Sequence, residues 1–108
     1  MTPASDPVLA RFRKTLTNFR GKIKTVYFYG SRAKGTHRPD SDYDILLVVG
    51  KSFSQEDKNK IYDRVMDILL ETGRLVSLKI FKESSFKNLC RMRTPFMNHI
   101  LREGVLLG

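Results

Sequence analysis

The chain has one cysteine, no tryptophan, four prolines, and only eleven acidic side chains against twenty basic ones in 108 residues. Each scarcity excludes something. Cys90 cannot form an internal disulfide, and with no Cys or His partners at ligand spacing it does not build a zinc site, so it reads as a small buried hydrophobe. No apolar run approaches the roughly 20 residues that span a bilayer, and the opening MTPASDPVLARFRK lacks the apolar segment of a secretory signal. The expectation is a cytoplasmic protein with no membrane segment. A chain this short supports one core that buries roughly two-thirds of the unfolded surface, so residues 1–108 are read as a single small domain.

Acidic residues are not only few but confined. Residues 1–38 carry nine basic and one acidic side chain, residues 39–73 four and eight, and residues 74–108 seven and two, within a net charge of +9. A basic frame around an acidic middle attracts polyanions such as nucleotides or RNA. There is no RNP-like aromatic motif, zinc finger or clear recognition helix, so RNA binding rests on the charge alone.

The periodicities divide the chain into an order α-β-β-α-β-α-α. Asp6 before Pro7 reads as a helix N-cap with proline at the first helical position, and Leu9, Phe12, Leu16 and Phe19 recur at helical spacing up to Gly21. The run Ile23 to Tyr29 is rich in β-branched and aromatic residues and too short for a helix, hence a strand. A segment dense in Gly, Ser, Pro and Asp follows, and then Ile45 to Val49 as a buried strand closed by Gly50. Ser52 or Ser54 caps a helix with the stripe Ile61, Val65, Ile68 and Leu69, ending at Gly73. In RLVSLKIF, Val76, Leu78 and Ile80 alternate with Ser77 and Lys79, as in a half-buried third strand. Ser84 and Ser85 open a short helix over Phe86 to Arg91, and Thr94 with Pro95 caps a last one carrying Phe96, Met97, Ile100 and Leu101. The helical stripes read as core, and a surplus of exposed apolar residues on one helix would mark a partner surface.

One stretch carries chemistry. Gly30 and Ser31 stand where a strand ends and a short helix can begin, so free backbone N–H groups and the Ser31 hydroxyl would face an anion. Asp42 and Asp44 follow Ser31 after ten intervening residues, and a strand's period of two puts both carboxylates on one face. Two hard oxygen ligands suit Mg²⁺, which binds through one or two carboxylates plus substrate phosphates. Cradle and carboxylates together describe a nucleotide and metal site.

The residues GSRAKGTHRPDSDYDILLVV resemble the signature of the nucleotidyltransferase superfamily, a Gly-Ser pair, a spacer and Asp-x-Asp on a strand. The form GSRAxG…PxSDxD is similar to the minimal nucleotidyltransferases, small DNA polymerase β-like proteins often paired with a helical partner as antitoxin and toxin. LVSLKIFKESSF and PFMNHILREGVLL resemble the end of a subgroup of single-domain members, and the likeness covers about residues 23 to 107. The resemblance implies an α/β palm-like fold, a mixed sheet covered by helices. It implies transfer of a nucleoside monophosphate from a nucleoside triphosphate, ATP foremost, to an acceptor such as a toxin-like helical partner protein. Carried over by position, Gly30, Ser31 and Arg32 would hold the nucleotide, and Asp42 and Asp44 would be the catalytic residues that hold Mg²⁺ or Mn²⁺. So small a chain leaves little room for an acceptor domain, so a homodimer or a hetero-complex would complete the cleft.

The pattern departs in one place. Complete members of the superfamily carry a third carboxylate on a later strand, and RLVSLKIF has no acid, with Ser77 nearest the place and Lys79 two residues on. A hydroxyl is a poor magnesium ligand, which leaves open a catalytically degenerate nucleotide- or partner-binding module. Asp63, Asp67 and Glu71 lie off the apolar stripe of their helix and are read as solvent-facing. Asp40 near Pro39 is explained by turn chemistry, Lys34, Arg38 and His37 as loop side chains, and Tyr27 and Tyr29 by packing on a central strand.

Overall fold

A computed structural model describes residues 6–30 and 42–107. Helix α1 spans Pro7–Leu16, and its first-turn N–H groups of Val8 and Leu9 donate to the Asp6 carboxylate at 2.8 and 3.2 Å. A 3₁₀ turn over Thr17–Phe19 follows, so the helix stops short of Gly21, although Phe19 still packs into the core against Phe53, with ring centroids 6.1 Å apart. Strands β1 (Ile23–Tyr29) and β2 (Tyr43–Val49) precede α2 (Gln55–Thr72). Of the two serines that could cap α2, Ser54 does so, accepting from Asp57 N–H while the Asp57 carboxylate accepts from Ser54 N–H. Gly73 closes the helix with φ 72°, a left-handed conformation that glycine adopts without steric cost. Then come β3 (Val76–Lys82), α3 (Glu83–Met92), α4 (Pro95–Glu103, capped by Thr94) and β4 (Val105–Leu106).

The sheet order is β3-β2-β1-β4, with β2 antiparallel to β1, parallel to β3, and β4 antiparallel to β1. The three strands expected from periodicity are present, and β4 adds a fourth. Two residues carry no periodicity, and they become a strand only because β1 offers Tyr27 and Phe28 as partners for Leu106 and Val105. Side chains alternate across the sheet and form two cores. Val26, Phe28, Ile45 and Leu47 meet α1 and α2 on one face, while Tyr29, Leu46 and Val48 meet Phe86 of α3 and Met97 and Ile100 of α4 on the other. Strand β2 is covered on both faces from Ile45 onward, which is why ILLVV is an unbroken apolar run. Each fully buried Ile or Leu there stabilises the fold by about 2 kcal/mol, so whatever stands at the start of β2 is firmly anchored.

Several side chains depart from the sequence expectation. Cys90 is half-buried, packed beside the α3/α4 core. In α4, Met97 and Ile100 are buried but Phe96 and Leu101 are exposed, because a nine-residue helix at the sheet's margin covers only its inner stripe. Helix α2 exposes Tyr62, Met66 and Leu70, four residues apart on one stripe, a surplus of the kind a partner surface requires. Among the described residues, no helix is long and apolar enough to cross a membrane.

Candidate active site

The site is built from the ends of three neighbouring strands. In the antiparallel ladder Asp44 lies opposite Tyr29, and in the parallel ladder it lies beside Ser77. Asp44 shares its face with Leu46 and Val48, both buried under α3 and α4, but it is only half-buried, beyond the edge of that cover. Asp42 precedes the strand and is exposed. Its charge, after the larger effect of burial, pushes the Asp44 carboxyl above its ordinary value, while Lys79 pulls in the opposite direction. A carboxylate whose affinity for a proton is raised by a second carboxylate beside it is likewise disposed to take up a cation.

Gly30 closes β1 with φ 83°, and a β-carbon placed on it would fall well inside contact distance of the Asp44 carboxylate oxygen Oδ2. Only a residue without a side chain lets the chain leave β1 directly over this carboxylate. The expectations on Ser31, Arg32, Lys34, His37, Arg38 and Asp40 fall outside the described residues. Of the site residues read from the motif, the structure thus brings Gly30, Asp42 and Asp44 to one place.

Among the described residues no third carboxylate joins them. Among the described residues no group of three or more His, Cys, Asp or Glu side chains is arranged to hold a metal ion. Asp63 and Glu71 are exposed on α2, which packs on the opposite face of the sheet, and Glu71 is ion-paired with Arg11. Asp67 is half-buried rather than fully solvent-facing, and pairs with Arg64 at 3.2 Å. Ser77 occupies the strand position next to Asp44, and the alternation puts Lys79 on the same face.

Two tyrosines beside the motif have relations that the motif reading missed. Tyr29 is a packing residue, as expected, with its ring edge-on to Phe96 at 5.7 Å, but it is also Asp44's cross-strand neighbour. Burial and then the Asp44 charge push its phenol above the ordinary value. Tyr43 faces the other way and donates from its hydroxyl to Asp6 at 2.7 Å, tying the start of β2 to the cap of α1. The strand period could have exposed the first relation. The second joins residues 37 apart and leaves no local signal.

A mixed sheet with helices on both faces and a paired Asp at the start of its inner strand defines a nucleotidyltransferase-type domain. The fold matches that of a toxin–antitoxin crystal structure with AMP-PNP at TM-score 0.61 and 17% identity, over 92% of this chain and 71% of that one. It also matches a mutant of the toxin–antitoxin MntA–HpeT at TM-score 0.56 and 15% identity, with the same coverage. The family model for polymerase beta nucleotidyltransferases matches residues 12–108, and the chain belongs to that family. Among its relatives is the candidate protein adenylyltransferase MJ0604 of Methanocaldococcus jannaschii, 29% identical, covering 84% of each chain. Spectinomycin 9-adenylyltransferase of Staphylococcus aureus is 36% identical over 61 residues, which is 56% of this chain and 24% of that enzyme.

Proposed function

We propose that residues 1–108 act as one minimal nucleotidyltransferase domain that moves a nucleoside monophosphate, AMP foremost, from the triphosphate to a hydroxyl on a helical, toxin-like partner protein. The observation that supports this reading is the close approach of Gly30, the first residue of the Gly-Ser motif, to the Asp44 carboxylate. The names of the M. jannaschii relatives, which concern adenylyl transfer to protein, and the toxin–antitoxin neighbours support the nature of the donor and acceptor. The exposed Tyr62, Met66 and Leu70 face of α2 is consistent with a partner.

The donor set fits a small divalent cation: two carboxylates with hard oxygens, one exposed and one half-buried, beside Gly30. In this reading Asp42 and Asp44 hold Mg²⁺ or Mn²⁺, and Gly30, Ser31 and Arg32 hold the phosphates. The bound cation supplies Lewis-acid stabilisation of charge on the phosphate oxygens. The chain's own residues orient the α-phosphorus for in-line attack. A bond forms from the acceptor oxygen to the α-phosphorus, the bond from that phosphorus to the bridging oxygen of the β-phosphate breaks, pyrophosphate leaves with the electron pair, and the hydroxyl proton passes to water. Positioning and preorganised donors supply most of the effect.

Ser77 beside Asp44 favours a second reading, a module that binds nucleotide or partner without turnover. Calorimetric titration with ATP and GTP, with and without Mg²⁺, tests the site. Binding that needs the metal and is lost in Asp42→Asn/Asp44→Asn is expected. Equal binding by wild type and variant would overturn the assignment. Label transfer from α-labelled ATP to a co-purifying partner then separates the enzyme from the silent module.

A further inference from the structure

At the end of the sheet opposite Asp44, where β2 and β3 finish, a cavity of about 540 Å³ lies between Gly50, the following turn and the first residues of α3. Four separate segments send a lysine into its wall: Lys24 from β1, Lys51 after β2, Lys82 at the end of β3 and Lys87 from α3. Glu83 is the one acid among the described lining residues, and none of the four lysines is ion-paired with a described carboxylate. The stem of Lys24 lies along Gly50, where a β-carbon would come within 3.0 Å of its Cε. The described wall therefore carries four cations against one carboxylate around a concavity, and a low-dielectric wall focuses such a field on whatever anion enters.

We propose that this cavity is a second anion site, for a compact oligophosphate, whether inorganic or the phosphate tail of a nucleotide. Its volume falls within the range of small-ligand sites, roughly 300–1,000 Å³. Among the described lining residues there is no aromatic ring, the stacking platform that single-stranded nucleic acid uses. The hydroxyls of Ser52 and Ser84 add neutral donors. The first turn of α3, which has no side-chain cap, brings its positive end to the same wall. Six residue steps of extended strand, roughly 20 Å, separate Gly50 from Asp44, so a triphosphate held at the candidate active site cannot fill this cavity. The ligand is a separate molecule, and the site stands independently of the transferase reading.

The test is calorimetry of the full chain with inorganic tripolyphosphate in the presence of a chelator, which silences metal-dependent binding. Wild type and Asp42→Asn/Asp44→Asn are expected to bind alike, and Lys51→Gln/Lys87→Gln roughly tenfold more weakly, having lost two charge-assisted contacts. Amide resonances of Gly50 and Ser84 should shift on titration in the wild type. Metal-free ATP binding more tightly than tripolyphosphate assigns a nucleotide, and equal binding assigns the phosphate chain alone. Unchanged affinity in the folded lysine variant, or no binding by the wild type, overturns the proposal. So does single-stranded RNA whose affinity grows with length and which tripolyphosphate fails to displace, since that marks an extended nucleic-acid surface.

Discussion

The Asp44 carboxylate occupies the space that a β-carbon on Gly30 would need. Gly30→Ala therefore meets two penalties, the collision with Oδ2 and a left-handed φ of 83°. Together these should cost about 1–3 kcal/mol of stability. Urea denaturation measures that loss, and calorimetry should show metal-dependent nucleotide binding reduced further than the stability loss explains, because the carboxylate is displaced.

Asp44→Asn should abolish metal-dependent nucleotide binding and lower transfer by about 10³-fold or more, the size of a lost Lewis-acid contribution. Stability should move the other way. Burial and Asp42 raise the folded-state pKa of Asp44 above its ordinary 3.8, so the native state binds the proton more tightly than the unfolded chain. The group's contribution then declines as pH rises from 3.8 through the raised value. At neutral pH the uncharged variant should melt no lower than wild type, and thermal melts across that pH range should show a shallower decline with rising pH.

Ser77 is the cross-strand neighbour of Asp44 at the place of the missing acid. If the site is active as built, Ser77→Asp should change label transfer less than about tenfold, since one added ligand is worth little to a working site. A silent wild type rescued by this substitution would instead establish the binding-only reading.

The Tyr43 hydroxyl donates to Asp6 Oδ2 at 2.7 Å, and Oδ1 of the same carboxylate caps α1. Tyr43→Phe should cost about 1 kcal/mol, the usual net worth of a buried hydrogen bond. Asp6→Ala, which loses the cap as well, should cost more, and equilibrium urea unfolding orders the two.

Asp57 answers to pH with the opposite sign from Asp44. The Ser54 N–H and then the Lys22 ammonium, 3.0 Å away, hold its carboxyl below the ordinary 3.8. The stability this provides is fully present above 3.8 and is lost as pH falls through the lowered folded value. Acid unfolding of Asp57→Asn should be correspondingly less steep. Ser54→Ala, which removes the reciprocal cap, should cost about 1 kcal/mol at neutral pH.

The elements legible in the sequence are those whose signals are local. Asp6-Pro7, Ser54 with Asp57, Gly73 and Thr94-Pro95 mark helix ends because capping is satisfied within a turn. β-branched and aromatic content located β1, the period of two located β3, and the Gly30 and Asp42/Asp44 pattern pointed to the candidate site. Strand β4 was not legible, since its two residues owe their conformation to β1. The exposure of Phe96 and Leu101 was not legible either, since a stripe's periodicity does not state how much of it the sheet covers.

The sequence by itself determined the order of the elements, the apolar faces, the caps and the residues of the motif, because each depends on neighbours within one turn or one strand. Tertiary structure alone decided that Tyr29, Asp44 and Ser77 stand side by side, that Tyr43 closes on Asp6, and that four lysines from 24 to 87 converge on one cavity. Strand register and helix docking set those distances. They are chosen by the packing of both cores at once, which no short window of sequence contains.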